Sequence, residues 1–338
     1  MALLEVRDLS VSFATLDGVV RAVDGVSYEL ERGRTLGLVG ESGSGKSVSA
    51  LTIIGLTRSP NATIGGQIVL DGRDLVSRSD AELRRIRGKR IAMIFQDPLS
   101  SLHPYFRIGV QIVEAIRTHE DVSKRAARLR AIEALEAVGI PRPGRRIDSY
   151  PHELSGGMRQ RAMLAMALAL RPDVLIADEP TTALDVTVQA QVLELIRSLR
   201  DEHGIAVLLI THDLGVIAQA ADEVAVMYAG RIVEHAPRDT IFESPEHPYT
   251  WGLLDSIPHL DAPRSERLRA IQGQPPSLIR ASEGCKFFPR CPYQPAPADE
   301  TEPELAETTP GHRVRCHLPV EERRRIWRER HGSTLLER

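Results

Sequence analysis

Gly40-Glu41-Ser42-Gly43-Ser44-Gly45-Lys46-Ser47 follows directly on the apolar run Thr35-Leu36-Gly37-Leu38-Val39 and reads G-x-x-x-x-G-K-S. Its glycines let successive backbone N–H groups curl around phosphate oxygens. The Lys46 side chain is long enough to reach β and γ phosphates, and the Ser47 hydroxyl is a ligand for Mg²⁺. A strand before such a loop is the context that makes it a nucleotide site rather than a Gly-rich turn. The stretch therefore predicts that residues 40–47 bind a nucleoside triphosphate.

Outward from the loop, β-branched runs at 36–39, 90–95, 174–178, 207–210 and 223–228 alternate with helical patterns, which predicts a mostly parallel sheet covered by helices. Residues 3–13 and 20–30 alternate like antiparallel strands, and 66–70 resembles a third, so an antiparallel flap is expected beside that sheet. Between Gln96 and Leu154 the pattern turns helical. Helices are expected over 110–118 and 124–138, the second closed by Gly139-Ile140-Pro141. Most of the 22 prolines fall beyond residue 236, where turns and extended segments replace long helices until a charged helix near 320–330. The division expected is 1–236, with a helical subdomain over about 97–157, and a smaller unit over 237–338.

The 338 residues are 42% hydrophobic and 26% charged, the balance of a soluble globular protein. A net charge of −3 gives no overall field for nucleic acid. Charges at Glu5, Arg7 and Asp8 argue against a signal peptide, so a cytosolic protein is expected. The longest apolar run, 162–170, is too short to cross a bilayer, and any membrane belongs to a partner. The three cysteines, Cys285, Cys291 and Cys316, sit together near the end, which in a reducing compartment suggests metal ligation or free thiols before disulfides.

Val174-Leu175-Ile176-Ala177-Asp178-Glu179 is an apolar strand ending in two acids, the complement a phosphate loop requires. Asp178 is read as the acid on the Mg²⁺ side, and Glu179 as the general base that polarises the attacking water. Leu154-Ser155-Gly156-Gly157-Met158-Arg159 precedes a long apolar helix. Ser155 sits where an N-cap belongs, and the glycines leave the first N–H groups uncovered, a second phosphate-binding element. Residues 40–47 already hold the phosphates, so this second element is read as serving a nucleotide carried by another subunit.

Together these motifs resemble the nucleotide-binding subunits of ABC transporters. Ser155, Gly156, Gly157 and Met158 are similar to the signature of that family, with Met158 where glutamine is commonest, as also in its oligopeptide/dipeptide branch. Phe95-Gln96-Asp97-Pro98 resembles the Q-loop, Ala183-Leu184-Asp185 the D-loop, and Thr211-His212-Asp213 the switch histidine, while Phe13 matches the aromatic that stacks on adenine. The resemblance implies a P-loop NTPase core with a parallel sheet, an antiparallel β subdomain, a helical subdomain and a small Pro-rich extension. It implies two ATP molecules sandwiched between two such subunits, Mg²⁺ held by Ser47, Asp178 and Gln96, and His212 on the γ-phosphate.

In the tail, His247-Pro248-Tyr249-Thr250, Leu253-Leu254, Ile257-Pro258, the stretch from Gly284 to Pro292, and Val314-Arg315-Cys316-His317 resemble the carboxy-terminal extension of peptide and nickel importer ATPases. From this branch follow a paralogous ATPase subunit, two transmembrane permeases docked on the helical insertion, an extracytoplasmic solute-binding protein and a peripheral place on the cytoplasmic face of the membrane. Di- or oligopeptides are the expected solutes, with nickel or oligosaccharides as alternatives. A non-transport ABC ATPase acting on nucleic acid would carry a long coiled-coil insertion or tandem modules, and neither is visible. A small-molecule kinase would leave the signature and His212 without work.

Relatives with four cysteines in this extension, some ligating an iron–sulfur cluster, have the third where this chain has Ala298. Cys285, Cys291 and Cys316 would then need His312 or His317 as a fourth ligand. An iron–sulfur cluster is thus conceivable, but a metal-free, turn-rich tail is the favoured expectation.

Overall fold

The computed structural model describes residues 2–96, 101–182, 184–257, 271–279, 284–295 and 298–331; Asp97, Pro98, Ala183 and Pro258 of the motifs quoted above lie outside them. The chain opens with a hairpin, β1 (Ala2–Thr15) and β2 (Gly18–Glu31), followed by β3 (Thr35–Val39), α1 (Lys46–Ile53), β4 (Ala62–Leu70), β5 (Arg73–Asp74), α2 (Asp80–Ile86) and β6 (Ile91–Ile94). Helices α3 (Ile108–His119), α4 (Lys124–Ala137), α5 (Pro143–Arg146) and α6 (Gly156–Leu168) form the insertion. The chain then returns through β7 (Val174–Asp178), α7 (Val186–His203), β8 (Ala206–Thr211), α8 (Leu214–Ala220), β9 (Glu223–Tyr228) and β10 (Arg231–Pro237). The tail contributes α9 (Arg238–Glu243), α10 (Pro248–Asp255), β11 (Ala306–Thr309), β12 (His312–Val314) and α11 (Val320–His331).

Two sheets result. The smaller, in the order β2-β1-β4-β5, is antiparallel, as the alternating pattern of its strands predicts. The larger runs β11-β12-β10-β9-β3-β8-β7-β6, with β9, β3, β8, β7 and β6 parallel. Every residue of β3, β7 and β8 is buried, which is why these central strands read as continuous apolar runs. Ile91 pairs with Val174, so the sheet resumes beside β6 as though the helical insertion were absent. The insertion has its own apolar seam, Ile108, Ile112 and Ile116 of α3 against Ala127, Ala131 and Leu135 of α4, at the helical spacing.

The division drawn at 236/237 from composition crosses a continuous sheet and a continuous core. Strand β10 straddles it, and β12 of the tail adds to β10 through Glu234 opposite Val314. Tyr249, Trp251, Phe287, Leu318 and Trp327 share one apolar cluster with Val39, Val226 and Tyr228. The antiparallel edge β10-β12-β11 was not visible in the sequence, because Arg231, Glu234 and His235 break any apolar run. Among the described residues no helix is long and apolar enough to cross a membrane.

Candidate functional site

The loop of residues 40–47 joins β3 to α1 at the end of the parallel sheet. Gly40 and Gly45 take φ values of 153° and 100°, and a Cβ on either would collide with a backbone oxygen, Met227 O beneath Gly40 and Ala22 O beneath Gly45. Only glycine fits there. Gly45 is also the N-cap of α1 and brings no side chain to cap its first N–H groups. Lys46, 6% exposed, lies folded into the loop, donating to Gly40 O at 2.7 Å, Glu41 O at 2.9 Å and Ser44 Oγ at 3.3 Å. Burial lowers its pKa against the opposing pull of Glu179, Asp178 and Glu41. A lysine so placed is a cation in search of a stronger anion than its own loop carbonyls.

At the tip of β7, Ser47 Oγ donates to Asp178 Oδ1 at 3.2 Å. Burial pushes the Asp178 carboxyl up, with Glu179 adding to the shift and Ser47 and Lys46 opposing it. Two hard oxygen donors side by side, one a desolvated carboxylate, fit a divalent cation. Glu179 follows with φ 49°, a left-handed conformation that is strained for glutamate and that turns its side chain away from the strand's regular course. Its carboxylate collects side chains from three places, Gln96 after β6, Thr182 three residues on and His212 after β8. Gln96 Nε2 donates at 3.2 Å and Thr182 Oγ1 at 2.7 Å to Oε2, while His212 Nδ1 lies 2.9 Å from Oε1. Burial works to raise the Glu179 pKa, but these bonds from His212 and Thr182 hold it below the ordinary value. Residues 96, 178, 179 and 212 thus lie together at one edge of the sheet. Gln96 is bonded to Glu179 rather than to Ser47 or Asp178.

Ser155 is the N-cap of α6, its hydroxyl accepting from Met158 N at 3.3 Å, and Ser155 and Gly156 are exposed. A Cβ on Gly157 would press on Val188 of α7. Asp185 caps α7 through Val188 N at 2.9 Å. Among the described residues no hydrogen bond or ion pair joins 155–158 to 40–47 of the same chain. Phe13 sits on β1 opposite Val20 and Ala62, half-buried against the antiparallel sheet's core.

The tail thiols are free. Burial pushes Cys285 up to about 11 and Cys316 up to about 12. Ala298 is buried and its carbonyl accepts from Cys285 N at 2.7 Å. His312 is engaged with the fully buried Glu234 at 2.8 Å and His317 with Thr301 O at 2.8 Å. Among the described residues no group of three or more His, Cys, Asp or Glu side chains is arranged to hold a metal ion.

Two sets of residues at the site escaped sequence reasoning. Thr182 carried a faint signal, a hydroxyl three places after the base. Tyr249 and Arg290 stand in tail stretches quoted above, but nothing local in the sequence links them to the site, because their partner Glu41 is far away in the chain. Tyr249 Oη accepts from Glu41 N at 2.8 Å, and Arg290 holds the Glu41 carboxylate with both prongs of its guanidinium.

Residues 23–182 match the family model described as ABC transporter, and 233–296 match that described as Oligopeptide/dipeptide transporter, C-terminal region. The chain is 51% identical to the oligopeptide transport ATP-binding protein OppD of Bacillus subtilis, over 94% of this chain and 88% of that one. It is 49% identical to OppD of Escherichia coli, over 95% and 94%, and 50% identical to the dipeptide transport ATP-binding protein DppD of B. subtilis, over 93% and 94%. Its fold is similar to that of the ATP-binding cassette MJ0796 bound to ADP and Pi, at TM-score 0.62 and 26% identity over 70% of this chain and 98% of that one. Similar too is cbiO1 of Clostridium perfringens, part of the transporter complex cbiONQ, at TM-score 0.61 and 27% identity over 72% and 91%.

Proposed function

The chain belongs to the ATP-binding proteins of ABC transporters, in the branch with the oligopeptide/dipeptide C-terminal region, and on that premise we propose that it hydrolyses ATP to drive import of di- or oligopeptides. The observation that carries the hydrolytic step is the Glu179 carboxylate, fixed by Gln96, Thr182 and His212 beside a phosphate loop. Held below its ordinary pKa, Glu179 is charged near neutrality and ready to accept a proton from water. As that water attacks the γ-phosphorus, the bond to the bridging oxygen breaks, ADP leaves, and the water's proton passes to Glu179.

Lys46 is the cation for the β and γ phosphates, and the amides of 43–47 supply the cradle. Ser47 and Asp178, with Gln96 nearby, would hold Mg²⁺, which neutralises charge on the transferred phosphoryl group. His212, exposed at the end of β8, can turn from Glu179 toward the γ-phosphate. The exposure of Ser155 at the head of α6 supports a signature, Met158 included, that acts with Asp185 of the D-loop on ATP held by a second, paralogous ATPase subunit. Phe13 stacks on adenine. The helical insertion docks on two transmembrane permeases at the cytoplasmic face of the membrane, supplied by an extracytoplasmic solute-binding protein. We read the extension as metal-free.

Reconstitution in vesicles with the permeases, binding protein and second ATPase subunit tests this reading. ATP-dependent uptake of a labelled oligopeptide is expected, together with copurification of the membrane subunits. Peptide uptake indifferent to ATP, or copurification with RNA or DNA in place of membrane proteins, overturns it.

A further inference from the structure

Glu41 is the second residue of the phosphate loop, and every polar group it owns is engaged. Its carbonyl accepts from Lys46 Nζ at 2.9 Å, its N–H donates to Tyr249 Oη at 2.8 Å, and its carboxylate takes Arg290 Nη1 at 2.5 Å and Nη2 at 3.0 Å. Two of these three attachments come from the carboxy-terminal extension. The Arg290 side chain is 4% exposed and is itself fixed, by the carbonyls of Gln272 at 2.9 Å and Ile271 at 3.4 Å and by the face of Tyr228. Tyr249 is fully buried between Tyr228 and Phe287.

A second route from the extension reaches the same loop. Lys286 Nζ donates to Ala229 O at 3.0 Å and pairs with Asp24 at 2.8 Å. Ala229 takes φ 46° and is followed by Gly230, whose N–H donates to Ser44 O at 2.9 Å. The extension thus grips the loop directly at its second position and bears on the fifth through the Ala229-Gly230 turn, while providing no phosphate ligand.

We propose that Arg290 and Tyr249 are positioning residues for ATP: by fixing Glu41 they hold residues 40–47 and the Lys46 ammonium in the shape that phosphates require. This rests on the reading of 40–47 as an ATP site and deepens it. A short loop with several glycines has many conformations to lose when a ligand orders it. An external clamp removes that freedom beforehand, so binding pays less of the ordering cost. The extension then bears directly on nucleotide affinity, beyond docking on the core.

Charge gives a test of sign. Glu41 places a carboxylate beside the phosphates, so by Coulomb repulsion alone its loss tightens ATP binding. The clamp requires the opposite. With full-length chain and a fluorescent ATP analogue, Glu41→Ala and Arg290→Met are each expected to raise Kd about tenfold, equivalent to ~1.4 kcal/mol. The double variant should be no weaker than the worse single one. Tyr249→Phe, which deletes only the hydroxyl, gives a smaller rise, and Arg290→Lys recovers part of the loss because it keeps the charge without the two-pronged geometry. In hydrolysis the change should appear in KM for ATP, with kcat at saturation within about twofold. Lower thermal stability with unchanged Kd would make the clamp a docking contact only and overturn the proposal, as would tighter binding in Glu41→Ala. If Arg290→Met does not fold, Glu41→Ala and Tyr249→Phe decide the matter. Wild-type chain that fails to bind the analogue defeats the reading of the site itself; wild-type binding with unaffected variants defeats the clamp alone.

Discussion

The nucleotide edge and the carboxy-terminal extension share one sheet and one apolar cluster, yet polar groups are used differently in each. At the edge, Ser47, Gln96, Asp178, Glu179 and His212 are bonded to one another in pairs that a phosphate or a cation can replace. In the extension Glu234, Trp251 and Trp327 are locked. Glu234, with no exposure, accepts from Glu246 N at 2.5 Å and His247 N at 3.1 Å and pairs with His312, joining α10 and β12 to β10. Trp251 and Trp327 end their indole N–H groups on the carbonyls of Pro245 and Glu243, each at 2.8 Å. One region is built to exchange partners and the other to keep them, so damage to the first should appear in rate and damage to the second, away from the Arg290 and Tyr249 contacts with Glu41, in stability.

The largest effect on stability is expected at Trp327, buried on α11 far along the chain from the phosphate loop. Trp327→Ala should cost about 3–5 kcal/mol by cavity and lost burial. Denaturant unfolding checks this, and turnover per folded molecule well below the transition should stay near wild type. A comparable loss in turnover per folded molecule would erase the contrast between the regions.

Glu179→Gln should do the reverse. Removing general-base assistance is expected to lower kcat by ~10²-fold or more, about 2.7 kcal/mol of barrier. ATP affinity should barely move, and the ATP-bound dimer should accumulate on size-exclusion chromatography. Near-normal turnover would remove Glu179 from the role of base.

Acid should act on the extension through His247. Burial, with the Arg323 charge nearby, lowers its pKa from 6.5 to about 3 against the opposing pull of a hydrogen bond to the Arg315 backbone. Between those values the unfolded chain binds a proton that the folded chain does not, so stability rises with pH and is lost as pH falls from 6.5 toward 3. This one group contributes a loss of about 2 kcal/mol between pH 7 and pH 5. His247→Asn retains an acceptor for Tyr249 N and should flatten the dependence in urea titrations at the two pH values. An unchanged slope would place the acid sensitivity elsewhere.

The smallest effect is expected on the surface of the helical insertion. Arg128 pairs with Asp148 at 3.0 and 2.7 Å, but both side chains are more than two-fifths exposed. Arg128→Ala should therefore change stability by about 1 kcal/mol or less. A larger loss in the same unfolding assay would mean the pair is coupled to the packing of α3 on α4.

Strands β3, β7, β8 and β9 lie within a residue of where their apolar runs predict them, and the helices of the insertion begin and end near their periodic limits. Those elements are legible because burial on both faces, or on one helical stripe, forces a periodic choice of residue. Strands β10, β11 and β12 follow no such rule. They form the antiparallel end of the sheet, with β11 as its edge, and the buried Glu234 of β10 and His312 at the start of β12 are tolerated because they bond to each other and Glu234 also accepts from Glu246 N and His247 N.

Sequence by itself displayed the G-x-x-x-x-G-K-S loop, the apolar strand ending in Asp178 and Glu179, the Leu154-Ser155-Gly156-Gly157 stretch and Thr211-His212-Asp213. Phosphate chemistry admits few residue types at fixed spacing, and each motif is local. Tertiary structure alone decided that Glu179 is held by Gln96, Thr182 and His212 together, and that Arg290 and Tyr249 reach across the fold to Glu41. The physical reason is distance along the chain. A bond between residues some two hundred positions apart leaves no periodicity, spacing or composition for a single sequence to display, since either partner alone is an ordinary arginine, tyrosine or glutamate.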